Sequence, residues 1–201
     1  MAISAAEIKK LRDATGVGFL ECRKALEEAE GDFDKAVVLL RERGLAKAAK
    51  RSGREASEGI LKLYDHGNGR VGVMVEVNCE TDFVARSEQF REFAHEISLQ
   101  IAASSPQWVN ESDIPEDVLE REREIARHRA LEEGKPENII DRIVDGRLEK
   151  FKEEVVLMKQ PYIRDDSITI EQFLHQTIAA IGENIVIRRF VRWEVGEASA
   201  S

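Results

Sequence analysis

No run of about 18 apolar residues occurs in the 201-residue chain, so nothing in it reads as a membrane-spanning helix. The opening MAISAAEIKK lacks the basic-then-apolar order of a secretory signal, and the protein is expected to stay in the cytoplasm where it is made. Cysteine is scarce. Cys22 and Cys79 stand far apart in differently patterned regions, which gives neither a disulfide framework nor a metal-ligand spacing. A surplus of basic charge is also missing: 30 Lys+Arg against 39 Asp+Glu leave a net charge of −9, and direct nucleic-acid binding is not expected. Neither a GxxxxGK[ST] loop nor a GxGxxG turn is present, so the chain is not expected to hold a nucleotide by itself, and no cofactor is called for. His66, His95, His128 and His175 are scattered without metal-binding spacing and read as surface or structural residues.

What is present is a 42% hydrophobic, 34% charged composition in which apolar residues recur between the charges, as in a soluble, helix-rich protein. The charge is uneven. Residues 1–54 hold 12 Lys+Arg against 9 Asp+Glu, net +3, whereas residues 110–160 hold 10 against 15, net −5. Such a surface points to a protein partner.

Three short helices open the chain. A Ser4-x-x-Glu7 capping box starts the first, with Ile8 and Leu11 on one face and Gly16 as its stop. The second turns Leu26 and Ala29 inward and ends at Gly31. The third has Asp32 as cap, Phe33, Val37 and Leu40 as stripe, and Gly44 as its end. Residues 45–59, rich in small and basic residues, read as a linker with helical character at its start, so the N-terminal unit is expected to move relative to the rest.

ILKLY, DHGNG and RVGVMVEVNCE form a hairpin signal with Val71, Val73, Val75 and Val77 alternating. Ser87 then caps a helix with Phe90, Phe93, Ala94, Ile97 and Ile101 inward. Two highly charged helical segments meeting at GKP predict an antiparallel helical hairpin over about 115–152. Its thin stripes are Val118, Ile125 and Leu131 on one helix, Ile139, Ile143 and Leu148 on the other. Thr169-x-x-Gln172 caps a last helix before the strand-like NIVIRRFVRWEV. The order of elements spells α+β, with residues 1–54 as one unit and 55–201 as the core.

Candidate chemistry is thin. Glu80 and Asp82 are carboxylates close in sequence without a third partner and read as solvated loop acids, which argues against a hydrolase. Cys22, beside Arg23 and Lys24, reads as inert packing. Two apolar corners remain: TGVGFLEC puts Val17 and Phe19 around glycines between helices, and TDFVAR puts Phe83 and Val84 between strand and helix. Either each fills a gap beneath its own turn, or the two mark a protein-binding surface.

Through LRDATGVGFLECRKALEEAEGDFDKAV, VEVNCETDFVAR, GKPENIIDRIVDGRLEKF and IGENIVIRRF, the sequence resembles from end to end the bacterial elongation factor Ts family, the guanine nucleotide exchange factors of translation elongation factor Tu. The resemblance implies a ubiquitin-associated-like (UBA-like) three-helix domain, a linker, and an antiparallel-sheet core carrying a coiled-coil hairpin. It implies no enzymatic chemistry. The implied partner is elongation factor Tu, GDP-bound and nucleotide-free. Carried over by motif, Val17, Gly18, Phe19 and Leu20 are its contacts on the N-terminal unit, with Arg23 as a charged neighbour. Thr81, Asp82, Phe83 and Val84 are the segment that intrudes near its Mg²⁺ and phosphate site. Relatives with IAMHVAAS-like stretches have a histidine where ISLQIAAS places Gln100 here, so Gln100 is a candidate partner contact that cannot become charged. Longer relatives have a core of two similar halves. This chain has only one TDFV-bearing unit, which implies that two copies combine as a homodimer, with IVIRRFVRWEV as a pairing edge. The competing reading is a UBA-type interaction module without exchange activity.

Overall fold

The computed structural model describes residues 3–197. Helix α1 (Ala5–Thr15) begins at the expected capping box: Glu7 N–H donates to Ser4 Oγ at 3.3 Å and Ser4 N–H donates to Glu7 Oε2 at 2.7 Å. It stops at Gly16, whose φ of 66° is open to a residue without Cβ. Helices α2 (Phe19–Glu28) and α3 (Phe33–Arg51) complete a bundle around Ile8, Leu11, Cys22, Ala25, Leu26, Ala36 and Leu40.

Gly44 does not end α3, and residues 45–51 are helix rather than linker. The reason lies in what this stretch packs against. A Cβ on Gly44 would meet Ala179 Cβ at 3.5 Å, and Ala48 is buried with the residues of the main core. Small residues at four-residue spacing let α3 lie close on helix α8 (Ile170–Ile181). A stripe of glycine and alanine carries little hydropathy signal, although it is buried. The bundle is therefore joined to the core through a continuous helix with a packed interface.

Strands β1 (Glu58–His66) and β2 (Val71–Cys79) form the expected hairpin, and β5 (Ile185–Glu194) pairs on the far side of β2, giving an antiparallel sheet of order β1-β2-β5. Glu76 faces Arg189 while Val77 faces Ile187, so Arg188 is an extra residue in β5. Its guanidinium turns back to Asn78 Oδ1 at 3.1 Å and the Ala56 carbonyl at 3.3 Å, closing the base of the sheet. Gly59 marks a close approach there, since a Cβ would lie 2.2 Å from the Val77 carbonyl oxygen.

The alternating Val71, Val73, Val75 and Val77 turn one face of β2 onto helix α5 (Glu88–Ser104). That helix returns Phe90, Phe93, Ala94, Ile97 and Ile101, and α8 adds Ile170, Leu174 and Ile178. Between these two helices the chain runs out and back through α6 (Glu116–Glu132) and α7 (Glu137–Val155), then crosses a small ladder of β3 (Pro161–Tyr162) and β4 (Asp165–Thr169). The α6–α7 hairpin is present, and its seam is the expected one only in part: Leu148 and Ile143 lie in it as expected. Ala126 and Ala130 pack against Ile140, Val144 and Leu148, while Ile125, Leu131 and Ile139 are exposed. The two alanines allow close helix approach, and their small side chains carry little of the apolar signal that their larger neighbours show. No helix among the described residues is long and apolar enough to cross a membrane.

Candidate functional site

The segment after β2 breaks from the sheet at Glu80 and forms a single helical turn, α4 (Asp82–Ala85). Thr81 caps it, accepting from Val84 N–H at 3.3 Å. Ala85 faces inward and is buried, Val84 packs against the main core, and Phe83 is driven to the opposite side, where its side chain is 82% exposed. Phe83 therefore fills no gap beneath its turn. A phenylalanine that meets water over most of its surface leaves its burial energy ungained in the isolated chain.

A frame of carboxylates surrounds this turn. Glu183, in the turn between α8 and β5, accepts from Thr81 N–H at 3.1 Å and from Thr81 Oγ1 at 2.7 Å. Glu80 accepts in return from Asn184 N–H at 2.6 Å and lies 3.4 Å from an Arg54 guanidinium nitrogen. Asp82 is drawn away to Arg86, 2.9 Å distant on the surface. Asp82 is the solvated loop acid expected, whereas Glu80 is not: its largely covered carboxylate is drawn across the gap by the Asn184 N–H and Arg54. Below the turn, Cys79 donates to the Thr81 carbonyl at 3.2 Å. Burial first, and the Glu183 charge second, push its thiol up to about 11.

The second corner is built from Thr15 to Leu20. Thr15 Oγ1 donates to the Leu11 carbonyl at 2.7 Å, and Cys22 Sγ donates to the Val17 carbonyl at 3.3 Å, which fixes the turn against the bundle. Burial raises the Cys22 thiol, consistent with a packing role. Val17 is half-buried against the bundle core, Gly18 starts α2 without a side-chain cap, and Phe19 and Leu20 project with 44% and 68% exposure. Arg23 lies beside them on the surface, its Nε 2.7 Å from Glu27.

Gln100 is placed differently from a surface contact. It is fully buried, its two amide hydrogens shared among Ser104 Oγ, Gln160 Oε1 and the Pro161 carbonyl at 3.1, 3.2 and 3.2 Å, and its oxygen accepting from Ile163 N–H at 2.9 Å. It ties α5 to the β3–β4 ladder from inside. Glu183 and Arg54 went unrecognised in the sequence, and the sequence pattern marked Glu80 only as a solvated acid. The polar GEN between a helix and an apolar strand was the one local signal for Glu183, and the bonds of this frame span up to 130 residues.

Comparison with known proteins bears on these corners. The chain is 57% identical over 197 residues to elongation factor Ts of Coprothermobacter proteolyticus, covering 98% of this chain and 100% of that protein. It is 57% identical over 195 residues to that of Caldanaerobacter subterraneus subsp. tengcongensis, covering 97% and 98%. The protein of the same name from Carboxydothermus hydrogenoformans shares 54% over 198 residues, covering 98% and 91%. The sequence profile described as elongation factor TS matches residues 37–197, a span that holds the Phe83 turn, its carboxylate frame, the helical hairpin and the whole sheet. On identity sustained along its full length, the chain belongs to the elongation factor Ts family.

Proposed function

We propose that this protein binds elongation factor Tu in its GDP-bound form, speeds loss of GDP, and holds the nucleotide-free partner until GTP enters. The carrying observation is Phe83: a large apolar side chain exposed on a single turn that is fixed on both flanks. A GTPase grips GDP through Mg²⁺, a lysine and backbone amides around the phosphates, so release means weakening contacts that are mostly electrostatic. Phe83 cannot ligate a metal. Its action is steric, entering a pocket beside the phosphate site so that the groups around Mg²⁺ move out of register, which octahedral Mg²⁺ tolerates poorly. Thr81, Asp82 and Val84 shape the inserted turn. The linkage is reciprocal, since the factor by which this protein lowers nucleotide affinity is the factor by which returning nucleotide lowers its own. The activity is exchange, with no bond made or broken by this chain.

Residues 1–54 act in this reading as a UBA-like unit offering a second contact through Val17, Gly18, Phe19 and Leu20, with Arg23 at the margin. Residues 55–201, of which the last four lie outside the described residues, form the core that delivers Phe83. The α6–α7 pair is the family's coiled-coil hairpin. The working compartment is the cytoplasm, where translation takes place. A homodimer is the reading favoured by the open face of the sheet, where Leu61, Leu63 and Met74 are exposed together with Trp193, 77% exposed, on edge strand β5.

The test is release of fluorescent GDP from purified elongation factor Tu. Wild-type protein accelerates release catalytically, and Phe83→Ala, which keeps the fold because it removes an exposed ring, loses most of that acceleration. Loss of such an aromatic anchor costs about 2–4 kcal/mol at an interface. A folded Phe83→Ala variant with full exchange activity refutes the wedge.

A further inference from the structure

The turn that presents Phe83 cannot be rigid by its own means. Four residues are far below the length at which a helix is stable alone, and Phe83 itself touches little. Whatever orients the ring must act on the ends of the turn. Only one end is anchored by packing, through buried Ala85 and partly buried Val84; the other is held by hydrogen bonds to a segment more than 100 residues away in sequence.

We infer that Glu183 is the positioning residue of the exchange wedge, the acidic half of a reciprocal brace in which Glu183 holds the backbone of Thr81 while Glu80 holds the backbone of Asn184. The inference rests on the exchange reading of Phe83. The geometry is specific in three respects. Both oxygens of Glu183 are used, one for the Thr81 N–H and one for its hydroxyl, so the hydroxyl proton is committed and its lone pair is left to receive Val84 N–H at 3.3 Å. The second carboxylate points the opposite way across the same gap, at 2.6 Å, so the two segments cannot slide past each other without breaking charge-assisted bonds at both ends. Finally, Asn184 Nδ2 donates to the Arg54 carbonyl at 2.8 Å, which pins the chain leaving α3 to the same point. Glu183 makes no contact with Phe83. It acts through Thr81, by keeping the cap of α4 in place so that the ring is already aimed when the partner arrives.

A glutamine at 183 has nearly the same shape but no charge: one polar atom can still accept from the Thr81 N–H, while the other can only donate to Thr81 Oγ1, so the charge-assisted bond from the Thr81 hydroxyl is lost and its proton is released. With Glu183→Gln, the maximal rate of GDP release at saturating protein falls about tenfold, the scale of one charge-assisted hydrogen bond, while the half-saturating concentration moves less because the Phe19 corner is untouched. Hydrogen exchange at the Thr81 and Asn184 amides quickens, with β2 amides still protected, which separates a loosened brace from an unfolded chain. The double variant Phe83→Ala/Glu183→Gln is no slower than Phe83→Ala alone, because Glu183 works only through the ring's placement. Penalties that multiply in the double variant, or unchanged Thr81 protection, overturn the inference. Wild-type exchange that Phe83→Ala abolishes and Glu183→Gln retains overturns the brace and leaves the wedge standing. No acceleration by wild-type protein overturns the exchange reading and the role of Glu183 with it.

Discussion

Replacing Gln100 by alanine distinguishes a residue that meets a partner from one that holds the protein together. Gln100 has no exposed surface, and its amide serves four groups drawn from α5 and the β3–β4 ladder. Truncation leaves Gln160, itself 3% exposed, with its Oε1 deprived of a donor, and strips the Ile163 N–H of the Gln100 oxygen that it donates to. A buried polar group left unpaired costs about 1–3 kcal/mol. Ile163 is 44% exposed, so its N–H recovers part of the loss from water and counts for less than a fully buried group. Together with the void left by the missing side chain, the destabilisation comes to about 2–4 kcal/mol. For a chain of this size that lowers the midpoint of thermal unfolding by about 4–16 °C. The assay is thermal and urea unfolding followed by far-UV circular dichroism, run beside GDP release at a temperature where the variant stays folded. The expected result is a clear loss of stability with exchange nearly intact. A variant as stable as wild type but defective in exchange would refute the interior role and return Gln100 to the contact surface. Histidine at this position provides a second reading of the same network. Its neutral ring can accept from Ile163 N–H and donate to the Pro161 side, but a charged ring has no acceptor to offer, so Gln100→His is expected to lose stability as pH falls through the range where a buried imidazole takes up a proton.

Two other substitutions probe separate parts of the molecule. Burial of Glu96 works against its charge, but hydrogen bonds from Arg164 at 3.0 and 3.2 Å and from Tyr162 at 2.7 Å outweigh it and hold the carboxyl below the usual 4.5. Because the folded value is the lower one, the stabilisation is complete above the unfolded value and is lost as pH falls through the folded one; Glu96→Gln should flatten the decline in urea midpoint between about pH 5 and 3, and identical slopes would contradict this. Changing Phe19 and Leu20 to serine should raise the half-saturating concentration for exchange several-fold while leaving the maximal rate nearly unchanged. Equal losses in both would contradict the division between a tethering corner and a displacing one.

Where local chemistry decided the structure, the amino-acid pattern was readable. Ser4, Asp32, Ser87 and Thr169 all cap the helices they were expected to cap, and the alternating valines of β2 face the α5 stripe. The misreadings share one physical cause. Gly44, Ala48, Ala126 and Ala130 are buried because they are small enough for two backbones to come close, and smallness leaves no trace in a search for hydrophobic periodicity. The candidate site divided along the same line. Phe83 and Phe19 stood out as apolar residues in turns, whereas the Glu183 to Thr81 bonds join positions 102 apart and follow from the fold alone. Gln100 could be located in a helix, but nothing local told whether it pointed to a partner or to the Gln160 amide.

The unbroken α3 gives the molecule the character of a fixed-gap caliper. One jaw carries Phe19 and Leu20, the other carries Phe83, and the rod between them is a helix that shares its first half with the bundle core and its second half with α8. A helix advances about 1.5 Å and turns about 100° per residue, so a single insertion between Leu40 and Ala48 would turn one jaw by about 100° relative to the other. Selectivity among GTPases of similar local surface can then reside in the spacing of two footprints, a quantity that no single contact residue encodes.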